Sequence, residues 1–441
     1  MSKLRPLLAL SLLTLTASAC GDDGSMVVDP QPDAPDQPQP DGPTPPTCEP
    51  TALRTDLTWY GDNATKLAGW LDAKGCASVG YDATKKPIAL FDWDNTVLKN
   101  DVGDAITFHL IKNDKVLQPP NQDWKQSSKL MTTAAATALT TACGITVAAG
   151  QPLPTSTNTA CADEILSIYI DGKTTGAVAA FENFDYRRIE PTYAWTAQLL
   201  AGYTHAEVQA MTIAAVTPQL AAPENTTQVI GTRTVNGWLR IYDQTKDVIA
   251  AATSRGYDVW VITASPQDVV AAMVPMVDLP ADHVIGIRSR LDASNKLTSH
   301  FEGCGPVADD ADTMISYIEG KRCWVNKVIY GDTTANAIAR RPVGMRPIFA
   351  AGDSDTDIEF LRDASYRLVL NRNKKELMCF AYRNEDSGWA VNPMFIQPKS
   401  QQAALYPCST TACKTSDGTP GPCRDESNTI IPDQMDLVHG P

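Results

Sequence analysis

The chain has 441 residues, 43% of them apolar, and a formal net charge of -14 at pH 7. That length allows a large core and more than one structural unit, and the apolar content excludes wholesale disorder. The negative balance argues against nucleic acid, whose phosphates need a basic footprint. It still permits a small phosphorylated substrate, held by a metal ion and a few local cations.

The first 20 residues read as an export signal. Lys3 and Arg5 precede a short apolar run from Leu7 to Leu15, and Ala17-Ser18-Ala19 lead into Cys20. The run is too short to span a bilayer as a mature helix. Small residues directly before a cysteine resemble the processing box of bacterial lipoproteins, which implies lipidation at Cys20 and a chain anchored by lipid, facing the periplasm or the cell exterior. Residues 21 to 50 are rich in Pro, Asp, Gly and Gln and read as a solvated, stiffened tether.

Of the 11 cysteines, removal of Cys20 leaves an even number, which in an exported chain reads as disulfides. The nearest spacings pair Cys143 with Cys161 and Cys304 with Cys323, with Cys379, Cys408, Cys413 and Cys423 tying down a C-terminal tail over 401–441. Zinc is disfavoured, since none of the five histidines lies near a close cysteine pair.

The folded part opens near Pro50. Leu67, Trp70 and Leu71 recur at helical spacing and predict a short helix over Asn63 to Ala73. Four apolar runs predict buried strands: Pro87 to Phe91, Tyr257 to Ile262, Arg346 to Ala351, and Arg367 to Leu370. The first three each lead into a helix signal. Asp101 with Asp104 can cap the first helix, Ser265-Pro266-Gln267-Asp268 reads as a capping box, and Ser354 with Asp355 precedes Ile358, Phe360 and Leu361. Alternating strands and helices predict an α/β fold, a Rossmann-like three-layer core with a mostly parallel sheet covered on both faces. Ligand sites in such sheets lie at the carboxyl ends of the strands, where the polar residues gather.

About 155 residues separate the first two predicted strands, far more than one crossover needs. They read as mainly helical, with an alanine-rich stretch from Ala134 to Ala142 and a capping box at Thr204-His205-Ala206-Glu207. The segment 101–255 is therefore expected to form a helical cap, inserted into a core made of 51–100 and 256–400.

In Asp92-Trp93-Asp94, residues two apart at a strand end project to the same side, so both carboxylates can enter one site. A hard cation such as magnesium offsets their repulsion. One carboxylate can then bind the metal and attack phosphorus, while the other protonates the leaving oxygen and later activates water. An acidic turn is the plain alternative. Gly352-Asp353-Ser354-Asp355-Thr356-Asp357 is a second acidic strand end: Asp353 can complete the metal shell, and Asp357 can orient a cation or a metal-bound water. Thr263 is assigned to a phosphoryl oxygen, because Ser265 has a competing role as a helix cap. Lys321 is the preferred cation for the transferring group, with Lys327 as runner-up.

The order strand–DxDxT, strand–Thr, lysine, strand–GDxxxD resembles the haloacid dehalogenase superfamily of phosphohydrolases over about residues 51 to 400. The large insertion after the first motif is similar to members of the phosphoserine phosphatase type. Phe91 to Thr96 with Asp101 to Ala105, the Gly202-Tyr203-Thr204 turn, and Val284 to Arg288 look closer to an exported phosphocholine-phosphatase-like branch. The resemblance implies an exported, magnesium-dependent phosphatase with Asp92 as nucleophile and Asp94 as general acid and base. Phosphate would be held by Thr96, Thr263 and Lys321, and the metal by Asp92, Asp94 (through its backbone carbonyl), Asp353 and Asp357. A choline-like headgroup would want aromatic faces, for which Trp93, Tyr186, Tyr193 and Trp195 are available. A phosphoserine-like one would want a cation for its carboxylate, for which Arg187-Arg188 is available. A lipoprotein that binds a phosphorylated ligand without turnover, a phosphotransferase and a dehalogenase are the alternatives.

Overall fold

A computed structural model describes residues Cys48–Pro441, which form one compact unit. The export signal, Cys20 and most of the tether lie outside the described residues.

Six strands build the central sheet: β1 (Ile88–Phe91), β2 (Asp258–Pro266), β3 (Val284–Ile287), β4 (Phe349–Gly352), β5 (Tyr366–Asn371) and β6 (Trp389–Pro393). Their spatial order is β6-β5-β4-β1-β2-β3, and every neighbouring pair is parallel. β1 therefore lies between β4 and β2, so the three predicted motif strands are adjacent.

The strands are buried on both faces and their alternation sorts side chains between two cores. Ala89, Phe91, Val259, Val261, Phe349 and Ala351 join one apolar cluster, while Leu90, Ile262, Ala350 and Val369 join the other. The first cluster takes in Leu67 and Leu71 of α1 (Asn63–Asp72). It also takes in the insertion helices α2 (Val102–Lys112), α3 (Thr133–Cys143), α4 (Thr159–Asp171), α5 (Pro191–Gln198) and α6 (His205–Ala221), together with α7 (Asp243–Ser254) and α8 (Gln267–Ala271). The second cluster lies under α9 (Glu319–Val328), α10 (Ile358–Asp363) and α11 (Lys375–Arg383). This is the three-layer α/β core.

Two capping signals hold. Asp101 accepts hydrogen bonds from the N–H groups of Gly103 and Asp104 to start α2, and Thr204 with Glu207 forms the capping box of α6. The third does not. β2 runs on through Ser265 to Pro266, α8 starts at Gln267, and no side chain caps it. Ser265 is released from capping for another role.

Leu98–Lys99 pairs antiparallel with Arg240–Ile241, a two-stranded neck near the ends of the segment between β1 and β2. Five disulfides join Cys48–Cys76, Cys143–Cys161, Cys304–Cys323, Cys379–Cys408 and Cys413–Cys423. The last two tie down the C-terminal segment, whose Tyr406, Cys408, Cys423 and Ile431 are buried in the second cluster. Among the described residues no helix is long and apolar enough to cross a membrane.

Candidate active site

The carboxyl ends of β1, β2, β4 and β5 open on one side of the sheet, and four acidic residues meet there. After β1 the ladder continues for one more bond, from Asp92 N–H to the Ala351 carbonyl (2.9 Å). The chain then turns tightly: Val97 and Leu98 both donate to the Trp93 carbonyl, and Asn95 takes a left-handed conformation (φ 65°). This turn carries Asp92 and Asp94 into the site and hands the chain to the neck.

Asp92, Asp353 and Asp357 are buried, and each offers a carboxylate oxygen within 4.8 Å of the others. Three close carboxylates in a water-poor place need a counter-charge. Lys321, fully buried at 0% exposure, supplies it, placing its Nζ 2.6 Å from an oxygen of Asp92 and 2.6 Å from one of Asp357. Burial works against its charge, but Asp357 and Asp92 outweigh burial and raise its pKa, so the ammonium is held protonated.

Backbone geometry aims that lysine. Ile318, buried and β-branched, takes φ 43° at the start of α9, a costly conformation held by packing and by its N–H bond to the Thr356 carbonyl. Gly320 passes so close to the Ile315 carbonyl that an added Cβ would sit 1.7 Å from that oxygen. Lys327 lies elsewhere on the helix, with its Nζ 2.7 Å from the Gly303 carbonyl and over the Trp324 ring.

Asp357 accepts on both oxygens: from Lys321 and the Thr356 hydroxyl (2.9 Å) on one, and from the N–H groups of Asp353 and Ser354 (3.0 Å each) on the other. Asp353 accepts the Thr96 hydroxyl (2.9 Å) on one oxygen and Arg372 (2.5 Å) on the other. Thr96 is thus wholly buried behind Asp353.

Asp94 stands apart from the triad. One oxygen accepts Val102 N–H (2.7 Å), and the other accepts the Ser265 hydroxyl (2.7 Å), with the Thr263 hydroxyl farther away at 3.5 Å. Burial raises its pKa well above the usual carboxylate range, helped by nearby Asp101 and opposed by those bonds. Ser265 lines the cavity, whereas Thr263 is fully buried and accepts Ser265 N–H (3.0 Å). The hydroxyl that the sequence reading set aside as a helix cap is the one facing the cavity.

The cavity measures about 170 Å³, and its far wall carries Tyr169, Tyr186, Tyr193 and Tyr317. No protein-family model matches the chain and no curated protein matches it in sequence. Solved structures similar to it include a conserved protein of unknown function from Anaerococcus prevotii DSM 20548, 19% identical, with 78% of this chain and 94% of that one covered at a TM-score of 0.57. A protein of unknown function from Bordetella pertussis Tohama I is 16% identical, with 70% and 98% covered at 0.38. A substrate-bound phosphoserine phosphatase complex is 14% identical, with 65% and 86% covered at 0.29. The likeness is one of fold.

Of the four aromatics named from sequence, Tyr186 and Tyr193 line the cavity. Trp93 and Trp195 do not; both are core residues, and Trp195 packs against Trp124 and Phe181. The arginine pair is likewise committed elsewhere. Arg187 bridges Glu359 (2.9 Å) and Glu376 (2.6 Å), and Arg188 reaches Glu319 (3.1 Å), so neither is free for a substrate carboxylate. Sequence reasoning missed Arg372, Tyr169 and Tyr317. Arg372 directly follows β5, so the strand-end rule alone would have found it. The tyrosines come from α4 and from the loop before α9, and no local pattern marks them.

Proposed function

We propose that the protein is an exported magnesium-dependent phosphomonoester hydrolase of the haloacid dehalogenase type, acting through an aspartyl-phosphate on a small phosphorylated metabolite. The observation that carries the reading is Lys321, buried between Asp92 and Asp357 with Asp353 alongside. A cation locked among carboxylates at the strand ends is an arrangement built to receive a phosphoryl group. The sequence resemblance and the disulfides support the family and the export.

Asp92 has one oxygen engaged by Lys321, and its other oxygen attacks phosphorus as the bond to the leaving alcohol breaks. The departing alkoxide takes a proton from Asp94, whose raised pKa keeps that proton available. Asp94 then removes a proton from water, which attacks phosphorus and returns the Asp92 carboxylate with free phosphate. Lys321 and the Ser265 hydroxyl hold phosphoryl oxygens, a role we move from Thr263 to Ser265 on the grounds of its exposure to the cavity. The donor set fits magnesium, since Asp92, Asp353 and Asp357 offer hard carboxylate oxygens in one buried place. Those residues would hold the ion, with the Asp94 carbonyl completing the set as the resemblance implies; when bound, it neutralises charge on the phosphoryl oxygens.

The inserted helices act as the cap that chooses the headgroup. Their tyrosine faces suit an amine-bearing, phosphocholine- or phosphoserine-like substrate. The test is release of phosphate from p-nitrophenyl phosphate with magnesium. Wild-type turnover abolished by EDTA and by Asp92→Asn is the expected result, and undiminished turnover in Asp92→Asn would remove the nucleophile.

A further inference from the structure

The catalytic cavity adjoins a second chamber of about 630 Å³, and Asn95, Asp101, Tyr169, Tyr193 and Arg372 line both. Two acids and three cations line that outer chamber: Asp101, Asp104, Lys99, Arg372 and Lys399. Most of this charge is satisfied internally. Asp101 accepts the N–H groups of Gly103 and Asp104 (2.7 and 3.3 Å), Asp104 accepts the Tyr169 hydroxyl (2.7 Å), and Arg372 is paired with Asp353.

Two ammonium groups are left over. Among the described residues, neither Lys99 nor Lys399 donates a side-chain hydrogen bond or joins an ion pair. Lys399 is exposed, and such a surface lysine needs no explanation. Lys99 is only 6% exposed as a residue and its ammonium opens on the chamber, and a cation so enclosed without a counter-ion loses hydration. Burial, reinforced by Arg372 and Lys399, pulls its pKa down to about 8, which still leaves it mostly protonated at neutral pH. The neck ribbon, paired with Arg240–Ile241, fixes its backbone in place. A charge kept in such a position, at the wall of a chamber that shares its lining with the phosphoryl site, lacks its partner.

We propose that the partner is a second anionic group on the substrate: the outer chamber takes a carboxylate or phosphate at the far end of the leaving group, with Lys99 as its main contact and Arg372 at the junction of the two chambers. Phe108, Ile170, Val235 and Met394 line the same chamber and suit a short apolar spacer between the two anionic ends. The inference rests on the phosphatase reading and adds to it the chemistry of the leaving group.

The experiment compares phosphoglycolate with ethyl phosphate, which lacks the carboxylate, on wild type, Lys99→Met and Lys99→Arg. Wild type is expected to favour phosphoglycolate at least tenfold in kcat/KM. Lys99→Met should lose that preference through KM, and Lys99→Arg should keep most of it. A wild-type ratio near one, or a preference unchanged in Lys99→Met, overturns the subsite. Should wild type hydrolyse no phosphomonoester at all, the phosphatase reading falls separately, and calorimetry with phosphonoacetate against methylphosphonate decides the subsite. Tighter phosphonoacetate binding that is lost in Lys99→Met supports it; equal binding of the two overturns it.

Discussion

At the strand ends, Asp92 and Asp94 in the cavity wall and Asp353, Asp357 and Lys321 buried behind it all have partners among one another, in Arg372, or in neighbouring backbone and hydroxyl groups. On the side built by the insertion and its neck, tyrosine rings face the space and Lys99 has no side-chain partner among the described residues. Groups that partner one another are pre-arranged for one reaction whatever the substrate carries. Groups left unsatisfied are completed only by a ligand, so they discriminate among ligands. The contrast separates reaction from choice, and substitutions on the two walls should fail in different ways.

The largest effect is expected on the sheet side. Asp92→Asn should lower kcat by about 10⁴-fold or more, because it removes the nucleophile, with the fold retained by circular dichroism. Lys321→Met should abolish turnover and also destabilise the protein by about 3–5 kcal/mol in chemical denaturation, since Asp92 and Asp357 would remain buried without their cation. If Lys321→Met left stability untouched, the lysine would not be the counter-charge described here.

Ser265→Ala should cost roughly 1–3 kcal/mol of transition-state stabilisation, about ten- to a hundredfold in kcat, by removing one hydrogen bond to Asp94 and to the phosphoryl group. Thr263→Ala should cost less, and the reverse order would return the phosphate contact to Thr263. On the opposite wall, Tyr193→Leu should raise KM for an amine-bearing substrate about fivefold or more with little change in kcat, a loss of about 1 kcal/mol.

The smallest effect is on pH dependence. Burial, with help from Asp101, raises Asp104 to about 7. A raised carboxyl favours the fold while protonated, so its contribution is full below the unfolded value near 4 and is lost as pH rises through about 7. Thermal melts of Asp104→Asn should therefore show a shallower decline between about pH 4 and 7 than wild type does. Parallel curves would remove Asp104 as the source.

Much of this was legible in the chain. Apolar runs ending in polar residues located β1, β2, β4 and β5 because a parallel sheet buries its strands on both faces and exposes only their ends. Two strands escaped. β3 is four residues long and contains Gly286, and the edge strand β6 carries Asn392 and ends at Pro393, so neither shows a clear apolar run. The Ser265 cap did not form, since a capping box and a strand that runs on to Pro266 share the same letters.

By itself, then, the sequence determined four of the six sheet strands, the acidic strand ends and the length of the insertion, all of which follow from local periodicity and composition. Only the tertiary structure decided which lysine lies between the carboxylates. Lys321 and Lys327 are six residues apart, which turns them to different faces of α9, and the distant contacts of Ile318 and Gly320 set the phase of that helix. The same holds for Arg187 and Trp195, whose partners Glu359, Glu376 and Trp124 lie far along the chain. Whether a charge or a ring is spent in the core or left facing a cavity depends on who its neighbours are, and those neighbours are assembled from segments that carry no local signal of one another.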